Sequence, residues 1–63
     1  MTIMDATDKL WKEYIHLDGF IGTGIRIDEI VVFINDMATA KRLPNIYEGF
    51  KVEKEITSKF ITH

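Results

Sequence analysis

Residues 20–35, FIGTGIRIDEIVVFIN, constrain the fold of this chain more than any other stretch. β-Branched residues fill both halves, and such side chains suit the pleated surface of a strand. The stretch reads as two strands joined by a tight turn at Asp28-Glu29. Side chains alternate across a strand, so the pairing register decides which residues share a face. With Asp28 and Glu29 as a two-residue loop, Ile27 lies opposite Ile30, Ile25 opposite Val32, and Thr23 opposite Ile34. Together with Ile21 these make one nearly pure β-branched face, the expected core face. The other face carries Phe20, Gly22, Gly24, Arg26, Val31, Phe33 and Asn35. There Phe33 falls across from Gly24, where a ring can cover the backbone that a strand glycine leaves bare. Asp-Glu is not the favoured Asn-Gly or Asp-Gly loop. A longer loop with a shifted register is the alternative, and it would exchange the two faces of the second strand.

The chain has 63 residues, enough for a single domain spanning 1–63. A chain of this size buries only about 60% of the surface it exposes when unfolded. Small domains therefore commonly add a disulfide, a metal or a partner chain. Cysteine is absent, which removes disulfides and thiolate metal sites. The two histidines, His16 and His63, lie far apart in the chain. A partner surface is the staple that remains, so a homo-oligomer (a dimer first of all) or another protein is the expected partner. Neither a cofactor nor a metal is expected. A cysteine-free chain fits the reducing cytoplasm. No apolar run reaches the roughly 18–20 residues that span a bilayer, and no charged-then-apolar leader opens the sequence. The net charge of −2 gives no general attraction to nucleic acid or to an anionic membrane.

On either side of the hairpin the pattern is equally readable. Residues 5–17 read as a helix, with Leu10, Tyr14 and Leu17 on one stripe and Trp11 and Ile15 beside them. Thr2 is its candidate N-cap, with Asp5 three residues on. Asp5 with Lys9 and Asp8 with Lys12 are stabilising i, i+4 pairs. Asp18-Gly19 closes the helix, glycine accepting the left-handed conformation. After the hairpin, Asp36 offers an N-cap for a short helix over residues 37–43, which Pro44 stops. Residues 45–49 read as a loop into which Ile46 or Tyr47 tucks. Residues 50–57 read as a third strand, with Phe50, Val52 and Ile56 on one side, interrupted by Lys54, and Lys51, Glu53 and Glu55 on the other. Phe60 and Ile61 in the tail are too apolar for a solvated end; they extend the third strand or dock on a partner.

The expected fold is therefore α+β, a two-layer open-faced sandwich in the order α-β-β-α-β. Its three-stranded, mainly antiparallel sheet carries two helices on one face. A right-handed crossover that sets the third strand beside the first gives strand order 2-1-3; the third strand beside the second is the alternative.

The polar residues do not assemble into a recognisable catalytic pattern. Gly22-Thr23-Gly24 lacks the third glycine and the following helix of a dinucleotide fingerprint, and backbone packing under Phe33 or a bulge accounts for it. Ser58 near His63 lacks a positioned base and lies in a tail, where mobility is usual. His16 with Asp18 lacks further ligands for a metal; a cation near a helix C-terminus is the plainer reading. Asp28 and Glu29 suit a solvated loop, and Glu53 and Glu55 a solvated strand edge. An open sheet face with Phe20 and Phe33 could stack single-stranded bases, with Arg26 and Lys51 nearby, but Glu53 and Glu55 share that face. The apolar residues make the positive case. Phe20, Val31 and Phe33 on the open face, with Phe60 and Ile61 in the tail, are the candidate interface for another chain.

The runs FIGTGIRI, IVVFIND, AKRLP and GFKVEKEIT carry a resemblance as well. Residues 20–57 resemble a small domain that recurs in uncharacterised prokaryotic proteins and stands ahead of trypsin-like peptidase domains in larger chains. The matching pieces are Gly22, Gly24, residues 30–33, Leu43-Pro44, and Gly49 with Val52. They cover about half to two-thirds of the chain and mark strands, a turn and a helix end. The resemblance implies the hairpin–helix–strand order and a folding, docking or regulatory module. It implies no activity, since the peptidase part is missing. The sequence thus points to a non-enzymatic interaction or self-association module, with a single-stranded nucleic-acid binder as the alternative.

Overall fold

Thr2 starts the first helix. Its backbone is extended, and its Oγ1 accepts a hydrogen bond from the Asp5 amide at 3.2 Å, satisfying one of the donors a helix start leaves free. The computed structural model describes residues 1–57, and the helix, α1, spans Ile3–Tyr14. It ends three residues earlier than the apolar stripe suggests. The Leu17 amide bonds to the Tyr14 carbonyl (3.0 Å) and the Phe20 amide to that of Leu17 (3.1 Å), so the last stretch tightens into three-residue turns. Ala6 and Leu10 are wholly buried, and Ile3, Tyr14 and Leu17 flank them on the core stripe.

Among the described residues, four strands and a short second helix follow. They are β1 (Phe20–Arg26), β2 (Glu29–Ile34), α2 (Met37–Ala40), β3 (Ile46–Tyr47) and β4 (Phe50–Ile56). The sheet order is β1-β2-β4-β3. β1 and β2 are antiparallel, β2 and β4 parallel, and β3 and β4 antiparallel. The α+β class stands, but the sheet is four-stranded and mixed rather than three-stranded with order 2-1-3. The last long strand lies beside β2, leaving β1 at an edge. The extra strand, β3, pairs with β4 across a Glu48-Gly49 loop, where φ is 51° and 86°. Positive φ at both central residues is what a tight type I′ hairpin requires. α2 covers four residues instead of seven, with Asp36 as its N-cap. Asp36 accepts a hydrogen bond from the Thr39 amide at 2.8 Å, and bonding to Thr39 holds its carboxyl below the usual value. The chain then turns through Arg42 N–Thr39 O (3.0 Å) and Leu43 N–Ala40 O (3.2 Å).

The β1–β2 loop is Ile27-Asp28, with Arg26 opposite Glu29, Ile25 opposite Ile30, and Thr23 opposite Val32. The register is displaced by two residues from an Asp28-Glu29 turn, so strand faces are kept. Ile30, Val32 and Ile34 fill the core with Leu10, Leu43 and Val52. Ile21, Ile25 and Ile27, expected there too, are exposed, because β1 is an edge strand and Ile27 lies in the loop. A bulge at Ile21 breaks the face pattern at the start of β1: Phe20 pairs with Ile34, and Gly22 with Phe33. One extra residue flips the side chain before it, which puts Phe20 in the core. Phe33 still covers Gly24, but diagonally; a Cβ on Gly24 would meet its ring at 3.3 Å.

Gly19 is needed for space rather than for left-handed geometry, since Gly49 has the positive φ among the described glycines. A Cβ on Gly19 would lie 2.0 Å from Thr39 Oγ1 and 2.8 Å from Asn35 Oδ1. The Gly19 carbonyl also accepts the Asn35 amide at 2.9 Å. The α1–β1 connection is thereby seated against the start of α2.

Two outcomes are expected. Gly19→Ala should destabilise by about 2 kcal/mol through overpacking, lowering Tm by on the order of 10 °C. Thr39→Ala in the same chain should return at least ~1 kcal/mol of that, as residues sharing one contact couple; additive losses in urea titrations would disprove the contact. Ile27, at φ 53°, is a β-branched residue in left-handed geometry. Ile27→Asn should therefore stabilise by about 1 kcal/mol, read as a raised thermal midpoint.

Candidate functional site

The outer face of the sheet is closed by its own charges. Arg26 on β1 and Glu55 on β4 lie on opposite sides of β2, and Arg26 Nη2 donates to Glu55 Oε2 at 3.0 Å. Arg26 is in register with Glu29, and Glu55 with Phe33, so the ion pair crosses the row of Val31 that lies between them. Val31, which points away from the core, is nonetheless only 2% exposed. The hydrogen bond and charge of Glu55 hold the Arg26 guanidinium above its usual pKa. Lys51 lies 3.9 Å from both Glu29 and Glu53. Among the described residues both cations of this face, Arg26 and Lys51, are thus engaged by carboxylates, and three carboxylates outnumber them.

Of the residues expected to form an interface, the structure brings Val31 and Phe33 together on this face. Val31 is buried and Phe33 half-buried. Phe20 is in the core at 8% exposure, so Phe33 is the one aromatic ring on this face among the described residues. Phe60 and Ile61 lie outside the described residues, as do Ser58 and His63. His16 and Asp18 are both exposed, and among the described residues no three metal-ligating side chains converge. No helix among the described residues is long and apolar enough to cross a membrane.

The exposed apolar surface gathers elsewhere, along the edge strand β1. Met4, Asp8, Trp11 and Ile15 follow one another at helical spacing on the flank of α1 away from β3. The opposite flank is clipped to the β3–β4 hairpin: Lys9 Nζ donates to Glu48 Oε2 at 2.8 Å, and the Tyr47 hydroxyl to Glu13 Oε1 at 3.1 Å. Glu48 raises the Lys9 pKa, while desolvation and Glu13 raise that of Tyr47. The free flank of α1 encloses, with β1, an open cleft of about 490 Å³, lined by Met4, Thr7, Asp8, Trp11, Thr23 and Ile25. Among the described lining residues Asp8 alone is charged, and it is paired with Lys12 at 3.2 Å. A second, smaller cleft of about 330 Å³ lies under α2 beside Lys41, Lys54 and Ile56.

The backbone of β1 adds to this cleft. A two-residue loop makes Arg26–Glu29 the closing pair of the hairpin, and hydrogen-bonded pairs then alternate with unbonded ones. Gly22, Gly24 and Arg26 direct their amides and carbonyls to β2; Thr23 and Ile25 direct theirs outward from the sheet edge. The same two residues send side chains into the cleft. Sequence reasoning missed this site because it treated β1 as central. The available signal was the apolar run of β1, from Phe20 to Ile25, which contains none of the charges that usually guard an edge.

No family model, curated protein or solved structure matches the chain.

The closed outer face leads to a measurable expectation. Val31→Ala should cost about 1.5 kcal/mol, the loss expected for two buried methyl groups, close to the cost of Val32→Ala on the core side. An exposed position would lose under ~0.5 kcal/mol. Urea unfolding of the two variants distinguishes these cases.

Proposed function

We propose that the chain is a non-enzymatic protein-interaction module that receives an extended strand at the free edge of β1. One observation carries this reading: main-chain groups without a strand partner among the described residues and an open apolar cleft coincide at Thr23 and Ile25. Strand addition uses both features. Main-chain hydrogen bonds supply affinity, and a pocket for alternate side chains supplies selectivity. An incoming strand paired with β1 would lay every second side chain over the cleft, against Met4 and Trp11. The interaction surface is therefore the edge and the α1 flank, in place of the outer sheet face. A cytoplasmic setting, expected from the cysteine-free sequence, belongs to the same proposal.

Selection from a library of displayed peptides tests this directly. The expected winners alternate apolar residues at i and i+2. They shift the emission of Trp11, the single tryptophan of the chain, to shorter wavelength, and slow amide exchange at Thr23 and Ile25. Ile25→Lys should weaken their binding at least tenfold, and Phe33→Glu on the outer face should leave it unchanged. Winners that bind Ile25→Lys as well as they bind the parent, or lose binding to Phe33→Glu alone, would overturn the reading.

A further inference from the structure

We infer that the strand received at this edge is β1 of a second copy of the chain, paired antiparallel about a two-fold axis at Gly24. The inference builds on the strand-acceptor reading and adds the identity of the occupant.

The two edges of the sheet differ in kind. β3 is two residues long, and a very short strand offers little template for pairing. β1 is seven residues long, with one charged residue, Arg26, at its end. Natural edges of that length ordinarily carry a lysine, a proline, an inward charge or a bulge that hinders pairing with a copy; the bulge of β1 is confined to Ile21, at its start, and residues 22–25 carry none of the others. The absence of such a guard from the longer edge is expected where pairing is the edge's use.

The register follows from the irregularities that bound the strand. The bulge at Ile21 and the loop at Ile27 leave residues 22–26 as the regular stretch, and Gly24 is its midpoint. A two-fold axis there sets Thr23 opposite Ile25 of the second copy, and Ile25 opposite its Thr23. Both outward-facing residues of each chain then exchange amide and carbonyl hydrogen bonds. Only glycine meets glycine on the axis, so no side chains collide there. Closed two-fold pairing of this kind is self-complementary and ends at two chains.

Charge and area are compatible with this arrangement. The charged groups beside the regular edge are already paired within their own chain, Asp8 with Lys12 and Arg26 with Glu55. The surface that would meet carries Met4, Trp11, Ile21, Ile25 and Ile27, between 39% and 87% exposed. At ~200 Å² for each large side chain, these offer roughly 550 Å² per copy. Complete cover of these side chains in two copies would bury about 1,100 Å², above the ~1,000 Å² minimum of a biological contact and in the range of weak, reversible dimers.

Light scattering across micromolar to millimolar concentrations, with three variants, tests the pairing. The parent chain should pass from the mass of one chain to that of two and stop there. Ile25→Lys, and Thr23→Pro, which removes only an outward amide, should raise the dimer dissociation constant at least 100-fold while circular dichroism shows the fold retained. If Thr23→Pro does not fold, Ile25→Lys decides alone. Phe33→Glu should leave the dimer intact. A parent that stays monomeric throughout overturns the pairing, as does a dimer that Ile25→Lys leaves unchanged or that Phe33→Glu dissociates. The displayed-peptide selection is read separately: a monomer whose selected peptides still need Ile25 loses the second copy as occupant and keeps the strand-acceptor reading.

Discussion

The parallel pairing of β2 with β4 is the constraint on which the rest depends. Parallel neighbours cannot be joined by a tight turn, so the chain must leave the end of β2, cross, and return to the start of β4. α2, the turn through Leu43 and the β3 hairpin are that crossing. The return is secured at both ends, by the Val52 amide on the Asn45 carbonyl (2.8 Å) and the Thr57 amide on the Ile34 carbonyl (2.8 Å). Because β4 occupies one side of β2, β1 can take only the other and is left with a free edge. The cleft beside it lies between β1 and the flank of α1 opposite the one that Lys9 and Glu13 bond to the β3–β4 hairpin.

A central strand must be covered on both faces, and here the two faces are covered by different chemistry. Apolar residues of α1, the turn after α2 and β4 bury Ile30, Val32 and Ile34. On the other side an ion pair and an aromatic ring bury Val31. An exposed ion pair contributes little stability by itself. Its stem and head can still shield the residue beneath, as long charged side chains do when they lie along apolar surface. The outer face is thereby mixed in sequence and closed in structure.

Local signals in the sequence were legible where one residue's chemistry decides the outcome. Thr2 and Asp36 mark helix starts by capping, and both do so in the structure; Pro44, expected to stop the second helix, lies beyond its actual end at Ala40. Alternation named Ile30, Val32, Ile34 and Val52 as core residues. What was not legible depends on partners distant in sequence. The parallel or antiparallel placement of β4 cannot be read from its own alternation, and β1 becomes an edge only once that placement is made. The bulge at Ile21 moves Phe20 from the outer face to the core without any glycine or proline to announce it. The Tyr47-Glu48-Gly49-Phe50 hairpin did carry a signal, since glycine at the second loop position with an aromatic on either side suits a two-residue turn. The signal was absorbed into a loop because the strand before it is only two residues long.

The glycines show why type alone misleads. Four occur, and each has a different surrounding: Gly19 lies against Thr39, Gly24 under Phe33, Gly49 at positive φ, and Gly22 with nothing within 4 Å of where a Cβ would stand. Gly22 and Gly24 resemble a phosphate-binding pair in spacing, yet their backbone groups face β2 and leave none to cradle an anion. The two residues between and after them, Thr23 and Ile25, hold the free groups instead. Strand pairing decides this division: along one edge, alternate residues face inward and outward. On β1 the inward set is glycine and arginine, and the outward set is the pair that also lines the cleft. The side chains that line the cleft and the main-chain groups that face away from β2 therefore lie on the same two residues.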